Sequence, residues 1–341
     1  MPYSGPLAVP LQALNWLGNQ GTRAIVAVLL AAIAVPPLGE LLRPYVTEAI
    51  FLLLCISFMR VDVAMLRAHL RRPLLVLSAT AWTTIAVPLL VGMLTRVTGV
   101  EAGTPDLHLA LMLQATASPM MASPALAALM GLDATLVLIT LVTSTALVPL
   151  TAPFFAYVFL GQTLALSPAT LGLKLAGILA GAGVVATLIR LAFGLAAVRR
   201  HRAPIDGFNI CILFVFASAI MAHVLADLVA TPLRMLGLAA LAFAVFFLLL
   251  GTTMLLFRRC GRERAMALGM MVSLRNMGLM LAATEGAIPG TTWLYFRDES
   301  VSDPPRATAA AAVRRTAAQA AVNRRRRSGP GQSGAEMSCV S

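Results

Sequence analysis

Gln114-Ala-Thr-Ala-Ser-Pro-Met-Met-Ala-Ser-Pro124 sits inside an apolar run, with its two prolines five residues apart. Each proline removes a backbone donor and crowds the preceding turn, so a helix through this run must unwind between Pro119 and Pro124. A later apolar run carries Ser273-Leu-Arg-Asn-Met-Gly278, which places a cation, an amide and a glycine among hydrocarbon side chains. In a bilayer, freed carbonyls and amides have to be buried in protein or line a polar cavity. An arginine in mid-span costs on the order of 3 kcal/mol unless paired or hydrated, which marks Arg275 as a functional residue rather than one that snorkels to the interface.

Composition makes these runs membrane spans. Of 341 residues, 59% are hydrophobic and only 12% charged, about half the charge of an ordinary soluble domain. Apolar stretches of about 20 residues recur, each able to cross ~30 Å of hydrocarbon. Nine spans are expected: Thr22 to Leu38, Thr47 to Met59 (or slightly past Arg60), Pro73 to Thr95, Leu107 to Gly131, Thr135 to Leu160, Ala169 to Phe193, Gly207 to Leu228, Pro232 to Phe257 and Ala265 to Ala283. The fold class is an all-α polytopic membrane protein, which excludes most soluble-enzyme chemistries. No nucleophile–base pair or metal constellation is visible, so neither an enzyme nor a metal site is expected. The four cysteines lie far apart without a CxxC pair and read as membrane-core residues. With no charged n-region or A-x-A pattern before Thr22, the first run reads as a retained helix.

The net charge of +12 divides unevenly: residues 1–296 hold 18 Lys+Arg against 10 Asp+Glu, and residues 297–341 hold 8 against 4. Three alternate connections carry Arg60, Arg67, Arg71 and Arg72; Arg199, Arg200 and Arg202; and Arg258, Arg259, Arg262 and Arg264, whereas the opposite loops hold Arg43, Arg96 and Arg234. Eleven arginines against three put the N-terminus and the basic loops in the cytoplasm. The expected setting is a multi-pass protein of a bacterial-type cytoplasmic (inner) membrane. Its partner is the lipid bilayer, and the high pI gives no reason to expect nucleic acid. Leu66 to Arg72 reads either as a short interfacial helix or as a plain positive loop.

Spans four and nine are five apart, which suggests two five-helix halves. With an odd number of helices per half, the second is inverted relative to the first. Interrupted helices at matching positions of inverted halves point to the binding site of a secondary transporter. Their half-helix N-termini aim positive dipole ends at an anion, an arrangement suited to carboxylates.

The chain resembles the bile acid:sodium symporter family over roughly Thr22 to Phe296. The resemblance rests on Leu70-Arg-Arg-Pro73, Ala86-Val-Pro88, Ala117 to Pro124, Ser144-Thr-Ala-Leu-Val-Pro149 and Arg275-Asn-Met-Gly-Leu279, in that order and spacing. It implies ten helices, with a core domain of spans three to five and eight to ten whose broken helices cross at their unwound centres. The other four helices form a panel, and a small organic anion lies between panel and core. By carry-over, the backbone of Met121, Ala122 and Ser123 and the side chain of Asn276 contact the substrate, with Ser118 and Gln114 added by adjacency. Sodium ligands do not carry over. The family's glutamate and glutamine of span nine fall at Met271 and Arg275, the glutamine of span three at Thr83, the span-four serine and asparagine at Ser123 and Pro124, and the span-five hydroxyls at Val137 and Leu141. Arg275 is therefore expected to stand in for a bound cation, either holding the crossing in place electrostatically or pairing with the anion directly, with transport independent of sodium (uniport, exchange or proton coupling) and no cofactor. Arsenite-efflux relatives use a span-four cysteine that is absent here, so metalloid transport ranks low.

The domain reading is a transporter domain over residues 1–296 and a disordered Arg/Ala/Ser-rich tail over 297–341, read either as frameshift-derived or as a real cytoplasmic tail on anionic lipid. The family's tenth span is then missing. The alternative function, from another class, is a non-transporting or inactivated sensor or scaffold derived from such a transporter. Substrate identity, coupling ion and oligomeric state have no signature in the sequence. Asp133 is expected to cap span five. His223 and Asp227, four apart, read as an interfacial pair, and Glu285 as solvated.

Overall fold

The computed structural model describes residues 8–60, 73–161, 164, 166–222 and 224–284. Every regular element among them is helical. In chain order they are α1 (Ala8–Gln20), α2 (Thr22–Ala34), α3 (Pro36–Met59), α4 (Pro73–Val97), α5 (Pro105–Thr116), α6 (Ser123–Leu129), α7 (Ala134–Leu160), α8 (Pro168–Arg200), α9 (Arg202–Met221), α10 (Val224–Ala230), α11 (Pro232–Leu256), α12 (Arg262–Ser273) and α13 (Met277–Ala283). The expected interfacial helix at Leu66 to Arg72, His223, Glu285, the boundary at residue 296 and the tail lie outside the described residues.

Among the described residues, six helical runs are long and apolar enough to cross a membrane: α3, α4, α7, α8, α11 and Arg202–Ala230, which contains α9 and α10. Only 11% of the most apolar window of α8 and 17% of that of α11 is buried, against 56% for Arg202–Ala230. Leu173, Leu191, Phe193, Leu233, Leu236 and Phe247 are correspondingly exposed. Contiguous apolar faces of that extent are not sustained in water, and they suit a lipid environment. The halves of the two broken helices, 12 and 7 residues each, are individually too short to cross.

The first two spans differ from expectation. The break falls at Val35 rather than after Leu38, because Pro36 and Pro37 cannot donate back into α2 and instead open the next helix. The second span therefore starts at Pro36, runs 24 residues and ends at Met59 without passing Arg60. The α1–α2 pair is bent by 101° around Gly21, whose φ of 53° lies in the left-handed region that favours glycine. Spans three, five and eight match expectation closely, and the expected end of span six at Phe193 coincides with a kink at Gly194 (φ 77°) inside α8.

The helices pack as two groups. α9 collects α1, α2 and α3, and α8 lies on α3; α4, α5, α6, α7, α11 and α12 form the second group, and α13 sits between the two, touching α5 on one side and α3 and α8 on the other. The groups meet where α7 packs on α8 and where α13 touches α3 and α8. Polar links tie the second group internally. Trp82 Nε1–H donates to the Thr253 hydroxyl at 2.9 Å, joining α4 to α11, and the Thr80 and Thr143 hydroxyls bond at 2.9 Å, joining α4 to α7. Asp133 caps α7 as expected, accepting from the Leu136 amide at 3.0 Å, and also pairs with Arg264 of α12 at 3.6 Å.

In the first group the tightest approach is backbone on backbone. A Cβ on Gly207 of α9 would collide with the Leu14 carbonyl of α1, and one on Gly18 with the Ala203 carbonyl. Gly207→Val is expected to lower stability in detergent by about 1–3 kcal/mol, the usual cost of overpacking. A thermal unfolding curve measures it, and an unchanged midpoint contradicts the contact.

Candidate functional site: the crossing of the broken helices

Each broken helix stops in the same way. α5 ends at Thr116, whose hydroxyl donates back to the Met112 carbonyl at 2.9 Å and lies 3.2 Å from that of Leu113; α12 ends at Ser273, whose hydroxyl does the same with Gly269 (2.9 Å) and Met270 (3.2 Å). These are local side-chain-to-backbone bonds that add a second donor to carbonyls of the last turn, a pattern that competes with and bends a helix rather than prolonging it. Ala117 and Leu274 then turn extended, with ψ of 151° and 103°. The second halves restart at Ser123, with Pro124 in the first turn, and at Met277, where Asn276 Oδ1 caps by accepting from the Leu279 amide at 3.3 Å.

The two extended segments pair as a single antiparallel bridge, Pro119 opposite Arg275. The Met120 amide donates to the Leu274 carbonyl at 2.9 Å, and the Asn276 amide donates to the Ser118 carbonyl at 2.7 Å. In such a pair the flanking residues make the hydrogen bonds and the central residue's own N–H is not used. A proline is therefore accommodated at position 119 without losing a bond, the same residue that prevents the helix from continuing.

Arg275 is 2% exposed, so it does not snorkel. Its Nη1 donates to the Ala117 carbonyl at 2.9 Å, and Nη1 and Nη2 both lie 3.5 Å from the Thr83 carbonyl. Ala117 is the C-terminal cap of α5, so the guanidinium occupies the negative end of that half-helix. The Thr83 carbonyl is available for a reason written in α4. Residues Trp82–Ala86 form a π-turn in which Val87 donates to Trp82, and the next donor in that register, to Thr83, would be Pro88, which has no N–H. A charge-assisted hydrogen bond contributes about 1.5–3 kcal/mol, enough to offset most of the roughly 3 kcal/mol cost of an arginine in mid-span.

The expected site residues separate by exposure. Met121 and Asn276 are partly exposed and Ala122 is exposed, so these three present surface at the crossing. The Met121 and Ala122 amides make no hydrogen bond among the described residues. Asn276 spends its side-chain oxygen on the cap, which leaves only the N–H donors of its amide group for another partner. Ser118, Ser123 and Gln114 are buried at 1%, 3% and 2% exposure, and the hydroxyls of both serines lack a partner among the described residues. Met271 is fully buried beside apolar neighbours. Thr83 enters through its main-chain carbonyl, while its hydroxyl is committed to the Ala79 carbonyl at 2.7 Å.

Two residues at the crossing were not expected from sequence. Phe216 of α9 and Ile50 of α3 approach Gly278, with Phe216 Cζ, Ile50 Cγ1 and Asn276 Oδ1 all 3.5–3.6 Å from where a Cβ on that glycine would stand. They come from the other helix group, and no local pattern marks them. His108 also carries no sequence signal. It is buried, with Nε2 3.1 Å from the Phe159 carbonyl and Nδ1 3.0 Å from the Thr95 hydroxyl, and holds one end of α5 to α4 and α7.

No family model matches the chain, and no curated protein matches it. Arg275→Gln leaves the Ala117 and Thr83 carbonyls short of a charged donor and is expected to destabilise by about 1–3 kcal/mol. Arg275→Lys recovers only part, because an ammonium lacks the planar fork. Unfolding midpoints of the three proteins check the order, and equal midpoints contradict it.

Proposed function

We propose that this chain is a secondary transporter of a small organic anion, of the bile acid:sodium symporter type, working without sodium. The observation that carries the reading is the antiparallel bridge between two broken helices, each built as 12 residues, an extended break and 7 residues. Equal half-lengths and the same hydroxyl-terminated first halves support two inverted five-helix repeats. Irregular backbone at membrane depth is tolerated where it serves a site, and at matching positions of two repeats it indicates a transporter's substrate site.

In this mechanism the second helix group is the rigid core and the first group the panel. The substrate lies against the crossing, where the Met121 and Ala122 amides and the Asn276 amide nitrogen offer only donors, a match for a carboxylate. Rocking of core against panel exposes the crossing to either side in turn, and Phe216 and Ile50 stand at the contact that must slide. The orientation puts the N-terminus in the cytoplasm of a bacterial-type inner membrane.

Arg275 takes the role of the missing cation. Helix C-terminal carbonyls at a crossing favour a positive charge, and here the guanidinium supplies it from within the chain. Sodium would need about six oxygen ligands in the same place, close to a fixed cation that repels it.

Proteoliposome uptake of radiolabelled small carboxylates tests the reading. Saturable uptake is expected, equal in sodium and potassium, and reduced about tenfold or more by Asn276→Ala. Uptake driven by a sodium gradient overturns the sodium-free mechanism, and binding without flux overturns transport. A second test follows from the buried Met271. Met271→Glu with Arg275→Gln removes the fixed cation and places a buried carboxylate there, which is neutralised either by a proton or, at a pH high enough to keep it ionised, by a bound cation. The double variant is expected to be stabilised by sodium over potassium, and the parent to show no preference.

A further inference from the structure

Away from the crossing, the lipid-facing side of the second helix group carries a groove of about 640 Å³ lined by Trp82, Thr252, Leu255, Leu256, Arg258 and Arg259. Its volume falls in the range of about 300–1,000 Å³ usual for small-molecule sites. The wall is apolar and outward-facing: Leu255 is 63% exposed and Leu256 51%. The rim is basic, because Arg258 and Arg259 form the turn that closes α11 and both are exposed. Trp82 reaches across to Thr253, five residues or roughly 8 Å of helix rise from Arg258, so the groove runs from the basic end of α11 along its last turns.

A pocket with a hydrocarbon wall and two guanidinium groups at its mouth matches one chemistry. We infer that it binds one anionic phospholipid, the phosphate held by Arg258 and Arg259 and an acyl chain laid along Leu255 and Leu256 toward Trp82. Arginine forks bind phosphate oxygens in pairs. Each arginine near the membrane surface favours an anionic over a zwitterionic headgroup by about fivefold.

The site has a structural connection to the crossing. Trp82 donates its indole N–H to Thr253 and is followed directly by Thr83, whose carbonyl faces Arg275. A chain packed against Trp82 therefore braces the π-turn from outside while the guanidinium engages it from inside. The lipid site does not depend on the transport reading and is tested without it.

The chain has three tryptophans, so Trp16→Phe with Trp293→Phe leaves Trp82 as the sole tryptophan of the full-length protein, excited selectively over tyrosine. Reconstituted in phosphatidylcholine, it is titrated with phosphatidylglycerol brominated on the acyl chains and, separately, with equally brominated phosphatidylcholine. Phosphatidylglycerol is expected to quench Trp82 at a mole fraction at least tenfold lower. Arg258→Gln with Arg259→Gln is expected to remove that preference while leaving the phosphatidylcholine curve unchanged, which also reports that the protein is folded, and the paired lysine variant is expected to keep most of it. Equal quenching by the two lipids overturns the proposal, as does a preference that survives the glutamine variant. Loss of the preference on adding millimolar inorganic phosphate assigns the arginines to a free anion and overturns it as well.

Discussion

Everything in this structure is organised around a four-residue problem in backbone chemistry. A helix interrupted inside a membrane releases amides and carbonyls that neither lipid nor the helix itself can satisfy. Two such interruptions solve the problem jointly: Met120 bonds Leu274 and Asn276 bonds Ser118. Arg275, opposite Pro119, then answers a third carbonyl at the end of α5 and approaches a fourth in α4. Remove either break and the other has no partner.

That arrangement decides what is rigid. α4, α5, α7, α11, α12 and α13 are joined by polar links at several depths, through His108, the Thr80–Thr143 pair, Trp82–Thr253 and Asp133–Arg264, in addition to the crossing itself. The two helix groups meet at α13 against α3 and α8 and at α7 against α8. Hydrogen bonds inside a low-dielectric region resist distortion, so the second group is the one cross-linked at its polar positions.

The candidate site was only partly legible. Pro119 and Pro124 announce the first break because proline acts through local backbone geometry, and Arg275 announces the second because a charge in mid-span is costly wherever it is. The first span ends before the expected Leu38 for a related reason: Pro36 and Pro37 cannot continue α2 and open α3 instead. Thr83 was singled out for its side chain, yet its carbonyl is what faces Arg275, freed by a π-turn and by Pro88 five residues on. Phe216, Ile50 and His108 gave no signal, since each matters only through a neighbour far away in the chain.

The sequence by itself determined that the chain is helical, lipid-facing and broken at two places, because hydrophobic length, proline geometry and charge cost are local or compositional quantities. Only the tertiary structure decided that the breaks meet and that Pro119 lies opposite Arg275. It also decided that the guanidinium engages main-chain carbonyls, and that Met121, Ala122 and Asn276 present surface while Ser118, Ser123 and Gln114 do not. Those outcomes depend on which backbone groups remain unsatisfied once each helix has formed, and on which other unsatisfied groups the packing brings within about 3 Å of them.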